Sequence, residues 1–355
     1  MQTGFNKAWI FSVALLLTSC ANHPGGVFDQ NGAAAGQSSQ AVSYPYGFGQ
    51  GSMSATNNLS QNSREIEAVA QTGATWLRVF IDWNVVEPQK GQFNWGWLDH
   101  LVDTAEEHDI QVLGAIGFTP PWARLAGLPS LFPSAPPARP ADFAAFTTQV
   151  VKRYGNRISH WEIWNEPNLP IFFGFADQKA QRYTEILKVA YPAIKAVQPG
   201  STILVAGLSP LEGVDSPPGF LKQLYDAGAG GYFDAAAAHP YVFPDGLAAD
   251  PLNSWSDVGR MHQVMAEHGD RAKKIWLTEL GAPTCDCNAG VSPQEQAKQI
   301  TDLLAAAAQT GYTGPAFIYS IRDSNTANRG SRESNFGALL TTDWQPKYTA
   351  SVLAR

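Results

Sequence analysis

Short apolar runs with strand character alternate with amphipathic helical stretches from Tyr44 onward, and this alternation most constrains the fold. Strands that are separated by helical segments of about ten to fifteen residues are typical of βαβ units and a parallel sheet. Eight strands are predicted, at Tyr46–Gly49, Trp76–Ile81, Val112–Ile116, Ile158–Trp164, Thr202–Ala206, Phe233–Ala238, Ile275–Thr278 and Ala316–Tyr319. Because no glycine-rich phosphate-binding sequence follows the first strand, the series favours an α/β fold of the (β/α)8 TIM barrel type over a doubly wound sheet.

Helical periodicity fills the segments between the predicted strands. The predicted helices, several of which open with Ser, Asp or Pro, are Arg64–Gln71, Trp97–Glu107, Ala141–Tyr154, Lys179–Val197, Phe220–Ala227, Ser256–Glu267 and Pro293–Gln309. We find no long linker after Tyr44, so residues 44–355 are predicted to form a single barrel domain. Barrels of this type commonly use about 250 residues or more as one unit, and the chain has 355.

The N-terminus has the pattern of an export signal. Lys7 precedes an apolar run from Ala8 to Leu17 that is too short to span a bilayer, and Leu17-Thr18-Ser19-Cys20 resembles the bacterial lipoprotein box. We therefore predict a lipoprotein signal peptide over 1–19, lipid attachment at Cys20, and a flexible Gly/Ala/Ser/Gln/Asn-rich tether over 20–43. The alternative is ordinary secretory cleavage with Cys20 incidental. The lipoprotein reading places the enzyme in the bacterial cell envelope, periplasmic or cell-surface, with membrane contact through this lipid alone.

Charge and cysteine content narrow the possible functions. A net charge of −7 without a clustered basic surface excludes nucleic acid as an expected partner. Cys285 and Cys287 are either a loop staple or free thiols, and no His or Cys cluster at zinc spacing accompanies them. We therefore expect neither a metal nor an organic cofactor, and we expect a monomer.

Two glutamates lie at the ends of predicted strands. The run Trp161-Glu162-Ile163-Trp164-Asn165-Glu166-Pro167 places Glu166 after the fourth strand, and Ile275-Trp276-Leu277-Thr278-Glu279 places Glu279 after the seventh. Chemistry in TIM barrels is carried by residues at the C-terminal strand ends. Two carboxyl groups that face each other across a barrel mouth are what glycoside hydrolysis requires, and sequence spacing alone does not distinguish a retaining from an inverting pair.

Asn165-Glu166-Pro167 and Glu279, in these positions, resemble the signature of the clan A glycoside hydrolases, retaining enzymes on a TIM barrel. Further segments fit the same likeness, which is strongest to family 39 and to bacterial exopolysaccharide hydrolases and covers nearly the whole chain after Ser43. These segments are Arg78 on the second strand, Phe118–Trp122 after the third, His239-Pro240-Tyr241 after the sixth, and Asn335–Leu340 followed by Pro346-Lys347.

The resemblance implies a role for each site residue. Glu166 would be the acid/base, Glu279 the nucleophile and Asn165 a donor to the sugar 2-hydroxyl group. Arg78 and Tyr241 would orient Glu279 and stabilise it as a carboxylate. This division agrees with the chemistry, because a nucleophile needs a low pKa and an acid needs a raised one.

Several further residues are candidates for substrate contact. Trp122 is predicted to be a stacking platform in the long loop from Pro120 to Pro140, which we interpret as one wall of the cleft. His239 is expected either to contact sugar or to be a satisfied core histidine. Tyr319 stands on the eighth strand, where many clan members have Trp, and Arg322 would contact an acidic sugar or pair with Asp323. Glu162 is expected to be a buried partner for a cation such as Arg78. Phe132, Phe172, Phe173 and Phe175 lie in predicted loops.

The function that these features predict is a retaining β-glycoside hydrolase that cleaves polysaccharide or oligosaccharide through a covalent glycosyl-enzyme intermediate. Two alternatives remain. One is a catalytically silent glycan-binding lipoprotein in exopolysaccharide assembly, and the other is a transglycosidase that uses the same two glutamates.

Overall fold

The computed structural model describes residues 44–50, 58–125, 135–174 and 178–354. The predictions for the signal peptide, Cys20, the tether, Phe132 and Phe175 fall outside these ranges. Within them, no helix combines the length and the apolar character needed to cross a membrane.

Eight parallel strands close into a barrel in sequence order, with β1 paired to both β2 and β8. The strands are β1 (Tyr46–Gly49), β2 (Trp76–Asp82), β3 (Gln111–Gly117), β4 (His160–Ile163), β5 (Thr202–Leu208), β6 (Ala235–Ala238), β7 (Ile275–Leu280) and β8 (Thr313–Tyr319). The helices are α1 (Leu59–Ala70), α2 (Trp83–Val86), α3 (Gly96–Glu107), α4 (Pro140–Tyr154), α5 (Pro170–Phe173), α6 (Lys179–Val197), α7 (Pro217–Asp226), α8 (Ser254–Glu267), α9 (Pro293–Ala308) and α10 (Tyr348–Leu353). The predicted (β/α)8 barrel is confirmed, and the short helices α2, α5 and α10 are additions to the prediction.

The helix starts follow from local sequence. At the start of α1 the side chains of Asn58 and Gln61 each accept a hydrogen bond from the backbone N–H of the other, which forms a capping box. Proline occupies the first turn of α4, α7 and α9, where its missing N–H costs no helical hydrogen bond. These signals explain why the helices begin close to their predicted positions.

An apolar floor fills the lower barrel interior. It contains Trp76, Leu113, Leu204, Ala235, Ala237, Trp276 and Phe317. The Trp76 and Trp276 rings meet edge to face, with 5.2 Å between their centroids. Because side chains alternate along a strand, the residues on the same face of β2 beyond Trp76 are Arg78, Phe80 and Asp82. The polar residues of the barrel mouth therefore rest on a packed hydrophobic layer.

The loop after β7 contains a disulfide bond between Cys285 and Cys287. The sequence left open whether these cysteines form a disulfide staple or are free thiols, and in the structure they form the staple. Cys285 is buried, so the bond is anchored in the loop rather than displayed at its tip.

Candidate active site

Arg78 is the central cation of the site. Its guanidinium group donates to Glu162 Oε2 at 2.6 Å, to Glu279 Oε1 at 2.7 Å and to Asn165 Oδ1 at 2.8 Å. The side chain is only 6% exposed, so these charge-assisted bonds lie in a low-dielectric environment. One residue of β2 thus connects the fourth and seventh strands, and the predicted role of Glu162 as a buried partner for Arg78 is confirmed.

Glu279 is held as a carboxylate. The Tyr241 hydroxyl donates to its Oε2 at 2.7 Å while Arg78 donates to its Oε1. Burial by itself would raise the pKa of Glu279, but the charges of His239 and Arg78 and these hydrogen bonds together lower it below its ordinary value. Burial and the neighbouring Glu279 charge raise the pKa of Tyr241, so its hydroxyl stays protonated as a donor.

An irregularity in β7 aims Glu279 into the barrel mouth. Thr278, the preceding residue, also points inward, since it bonds to Glu162. Consecutive inward side chains are not possible on a regular strand. The register between β7 and β8 shifts between Leu277 and Leu280. This local irregularity interrupts the alternation of side chains, so that Thr278 and Glu279 can both face the barrel interior.

Glu166 is buried beyond the end of β4. The strand stops at Ile163, and the backbone then takes positive φ values at Trp164 (77°) and at Glu166 (43°), which turn the glutamate back over the barrel. Glu166 is 3% exposed. Burial raises the pKa of Glu166 above its ordinary value, against the hydrogen bond and charge of His239, and the Glu279 carboxylate raises it further.

His239 lies behind the two glutamates and has partners for both ring nitrogens. Nδ1 is 2.8 Å from Glu166 Oε1 and Nε2 is 3.1 Å from Thr278 Oγ1, and the residue is 1% exposed. In this position His239 is a buried histidine with both ring nitrogens partnered, and its contact with sugar stays a prediction.

The hydrogen-bond pattern shows which ring nitrogen of His239 carries a hydrogen. Thr278 donates its single hydroxyl hydrogen to Glu162 Oε1 at 3.0 Å, since a carboxylate paired with Arg78 only accepts. Thr278 must then accept from Nε2–H of His239. In its neutral form His239 accepts at Nδ1 from Glu166, and in its protonated form it donates there. Burial lowers the pKa of His239, but the charges of Glu279 and Glu166 raise it above its ordinary value. The Glu166–His239 pair therefore holds one shared proton between Oε1 and Nδ1.

The two glutamates are close neighbours. One carboxylate oxygen of Glu166 and one of Glu279 lie, together with a nitrogen of His239, within 4.8 Å of one another. Three such groups have the geometry to hold a metal ion. Arg78, however, already places a cation 2.7 Å from Glu279 Oε1, and a second cation beside it would be repelled. The donor set fits a proton better than a metal.

The other predicted contact residues have distinct positions. Tyr319 lines the site, since the charges of Glu279 and Glu166 act on its hydroxyl and its ring packs edge to face on Phe336 at 5.4 Å. Trp122 packs edge to face on Trp83 at 5.5 Å, with Lys90 over its ring. This packing holds the loop in place, and the stacking of Trp122 on sugar stays a prediction.

Arg322 pairs with a residue that the sequence did not predict. Its guanidinium donates to Glu65 at 2.8 Å, and it lies over the Trp344 ring with its side chain 3% exposed. Asp323, its predicted partner, instead forms an ion pair with Lys347 at 3.0 Å. Arg322 is therefore buried and paired with Glu65, and its contact with an acidic sugar stays a prediction.

Comparison with known proteins agrees with this geometry. A glycoside hydrolase family 42 model, described as beta-galactosidase, matches residues 56–135. A family 39 glycoside hydrolase from Bacteroides cellulosilyticus WH2 is 25% identical with a TM-score of 0.68, over 88% of this chain and 64% of that protein. This chain thus spans somewhat less than two thirds of the length of that relative.

Two further structures share the fold. A monomeric beta-xylosidase from Caulobacter crescentus CB15 is 19% identical with a TM-score of 0.65, over 88% of this chain and 67% of that one. A GH5_18 protein from Streptomyces cattleya, in complex with Manβ1-4GlcNAc, is 18% identical with a TM-score of 0.66, over 87% of this chain and 79% of that one. The resemblance to the clan A glycoside hydrolases that the sequence motifs indicated is therefore confirmed.

Proposed function

We propose that the chain is a retaining β-glycoside hydrolase in which Glu279 is the nucleophile and Glu166 the acid/base. The observation that carries the proposal is the pair of buried carboxyl groups, with oxygens within 4.8 Å of each other and pKa values shifted in opposite directions. Retaining enzymes hold their two carboxyl groups about 5 to 5.5 Å apart, and inverting enzymes need about 6.5 to 9.5 Å to admit water.

The reaction follows from these positions. Glu279 attacks the anomeric carbon while Glu166 gives its proton to the leaving oxygen, and a glycosyl ester forms on Glu279. Glu166, now a carboxylate, takes a proton from water, the water oxygen attacks the anomeric carbon, and the ester bond breaks. Arg78 donates a hydrogen bond to Asn165 Oδ1, so the amide N–H groups of Asn165 remain to donate to the sugar 2-hydroxyl.

The same contacts weigh against a silent glycan-binding protein. A site that serves only recognition has no need for a tyrosine and an arginine that hold one buried glutamate ionised next to another that keeps a proton. A transglycosidase would use the identical groups, with a sugar hydroxyl in place of water, and analysis of the products separates it from a hydrolase.

Replacing Glu166 with Gln tests the acid/base assignment. Loss of the proton donor is expected to lower kcat/KM by about 10² to 10⁴-fold on glycosides with poor leaving groups, and much less on activated aryl glycosides. The basic limb of the pH profile, which reports loss of the Glu166 proton, should disappear in the variant. Equal losses on both kinds of substrate, with the basic limb intact, would assign the proton to another group.

We also propose that the protein is exported and anchored through a lipid on Cys20. Lys7, the apolar run from Ala8 to Leu17 and the small residues before Cys20 support this. Wild-type protein expressed in a bacterium is expected to incorporate labelled palmitate and to fractionate with membranes, and Cys20→Ala is expected to do neither. Export of a label-free, soluble wild-type protein would favour ordinary secretory cleavage instead.

A further inference from the structure

An aromatic cluster stands beside the catalytic pair and takes no part in the reaction described above. It consists of Phe80 at the end of β2, Phe118 after β3 and Phe172 in α5. The Phe80 and Phe118 centroids are 4.5 Å apart, and the Phe118 and Phe172 rings are parallel to within 3° at 6.2 Å. The three residues are each partly exposed. Neither Phe80 nor Phe172 belongs to the hydrophobic clusters of the described chain, so their rings are not explained by core packing.

The cluster is next to the site by strand geometry. Phe80 follows Arg78 by two residues on the same face of β2, which places it about 7 Å further toward the C-terminal end of the strand. On the other side, the Phe118 ring packs edge to face on Trp164, two residues before Glu166, at 6.1 Å. Gly117 leaves room for the Phe80 ring, because a Cβ at position 117 would lie 3.0 Å from that ring.

A carboxylate follows the cluster on the same face of β2. Asp82 is the next residue of this face after Phe80, and it is partly exposed at the end of β2. One oxygen accepts from Asn84 N at 2.8 Å. The side chain caps the N-terminus of α2. Burial raises the pKa of Asp82 to about 6, against the backbone hydrogen bonds and the charge of Arg124. Partly exposed aromatic faces with a few polar groups beside them are the usual composition of a ligand site.

Charge decides which sugars fit. Three carboxylates, Glu162, Glu279 and Asp82, share two guanidinium groups: Arg78 pairs with Glu162 and Glu279, and Arg124 interacts electrostatically with Asp82. A uronic acid would add a further negative charge where carboxylates already outnumber guanidinium groups, and like charges repel. Sugar hydroxyl groups, in contrast, donate to carboxylates and leave the C–H faces of the ring to stack on phenylalanine.

We infer that Phe80, Phe118 and Phe172, with Asp82, form a second sugar subsite that binds an uncharged unit of the oligosaccharide next to the one being cleaved. The inference rests on the proposed function, because it takes the glutamates as the point of cleavage. The subsite makes the protein an enzyme for oligosaccharides or longer chains rather than for single glycosides.

The test compares a long substrate with a short one. Tetrasaccharides of β-linked xylose, mannose, galactose or glucose span both subsites, whereas the β-glycosyl fluoride of the same sugar occupies only the reacting position. Phe118→Ala and Phe172→Ala are expected to lower kcat/KM about tenfold on the tetrasaccharide that is cleaved best, and to leave the fluoride within about twofold. Phe93→Ala is the matched control, since Phe93 is also partly exposed and stacks on Trp95 at 5.2 Å, and it should change neither value.

Equal losses on both substrates, or no loss on either, would overturn the subsite. If the wild-type protein cleaves nothing, the proposed function fails, and calorimetric binding of the same tetrasaccharides still tests the subsite: about tenfold weaker binding in Phe118→Ala supports it, and unchanged or undetectable binding overturns it. Equal affinity for a glucuronate-containing tetrasaccharide and a neutral one would contradict the uncharged ligand class.

Discussion

Glu279→Ala is expected to lower kcat/KM by at least about a thousandfold on every substrate, including activated aryl glycosides, because no other group attacks the anomeric carbon. Added azide should restore turnover in this variant. The azide ion enters the space left by the carboxylate and attacks from the same side, so the product is a glycosyl azide of inverted configuration. Identification of that α-glycosyl azide by NMR is the measurement that assigns the nucleophile.

Two variants make this result specific. Glu279→Gln fills the space and should be inactive without azide rescue. Glu185→Ala removes an exposed glutamate of α6 and should behave as wild type. The fold should persist in Glu279→Ala, since Arg78 keeps Glu162 as a partner. A Glu279→Ala enzyme that retains substantial activity, or an azide product of retained configuration, would remove Glu279 from the nucleophile role.

The sequence was sufficient to locate the two proposed catalytic glutamates because each residue is marked locally. Glu166 follows a strand and precedes a proline, and Glu279 ends an apolar run. In a barrel, strand ends converge whatever the helices between them do, so two local signals were enough to predict a shared site. Arg78 and Tyr241 were predicted from the family resemblance, and both contact Glu279.

The role of His239 was not accessible in the same way. Its ring meets Glu166 from beyond β4 and Thr278 from β7, and the sequence does not display which of these distant groups it contacts. The irregularity of β7 that turns Glu279 inward beside Thr278 also leaves no clear sign in the sequence. Arg322 shows the second limit. Its partner Glu65 is 257 residues away on α1, whereas the sequence displays only the adjacent Asp323. Contacts between distant elements depend on how the elements pack, and the sequence of each single strand does not predict that packing.

The aromatic cluster of Phe80, Phe118 and Phe172 shows a third limit of prediction from sequence. In the sequence, Phe80 is one more apolar residue of a predicted strand and is indistinguishable from core. Only the barrel separates its face of β2 from the helix-facing side and places it at the mouth. The sequence predicts Trp122 as the stacking group, because large rings in loops are the usual stacking groups, and in the structure that ring contacts Trp83 and Lys90.

Arg78→Met is expected to lower the free energy of unfolding by about 3 to 5 kcal/mol at neutral pH, the usual cost of leaving a buried charge without its partner. Arg78 is 6% exposed and neutralises Glu162, which is fully buried, as well as Glu279. Methionine fills a similar volume and supplies no charge. Arg139→Met is the matched control, since Arg139 is 68% exposed in its pair with Asp142, and surface pairs of this kind contribute about 1 kcal/mol or less.

The dependence on pH distinguishes lost charge pairing from lost packing. In the wild type the pKa of Glu279 is lowered in the folded state, so its ionised form stabilises the fold above the unfolded pKa, and that contribution disappears as the pH falls through the folded pKa. Without Arg78, burial should dominate and raise the pKa of Glu279 above its unfolded value, so acidification should now stabilise this part of the fold. The difference between Arg78→Met and wild type, measured by urea unfolding, should therefore narrow from neutral toward mildly acidic pH. A difference that is independent of pH would mean that Arg78 stabilises the barrel through the packing of its side chain, and that Tyr241 and His239 are responsible for the low pKa of Glu279.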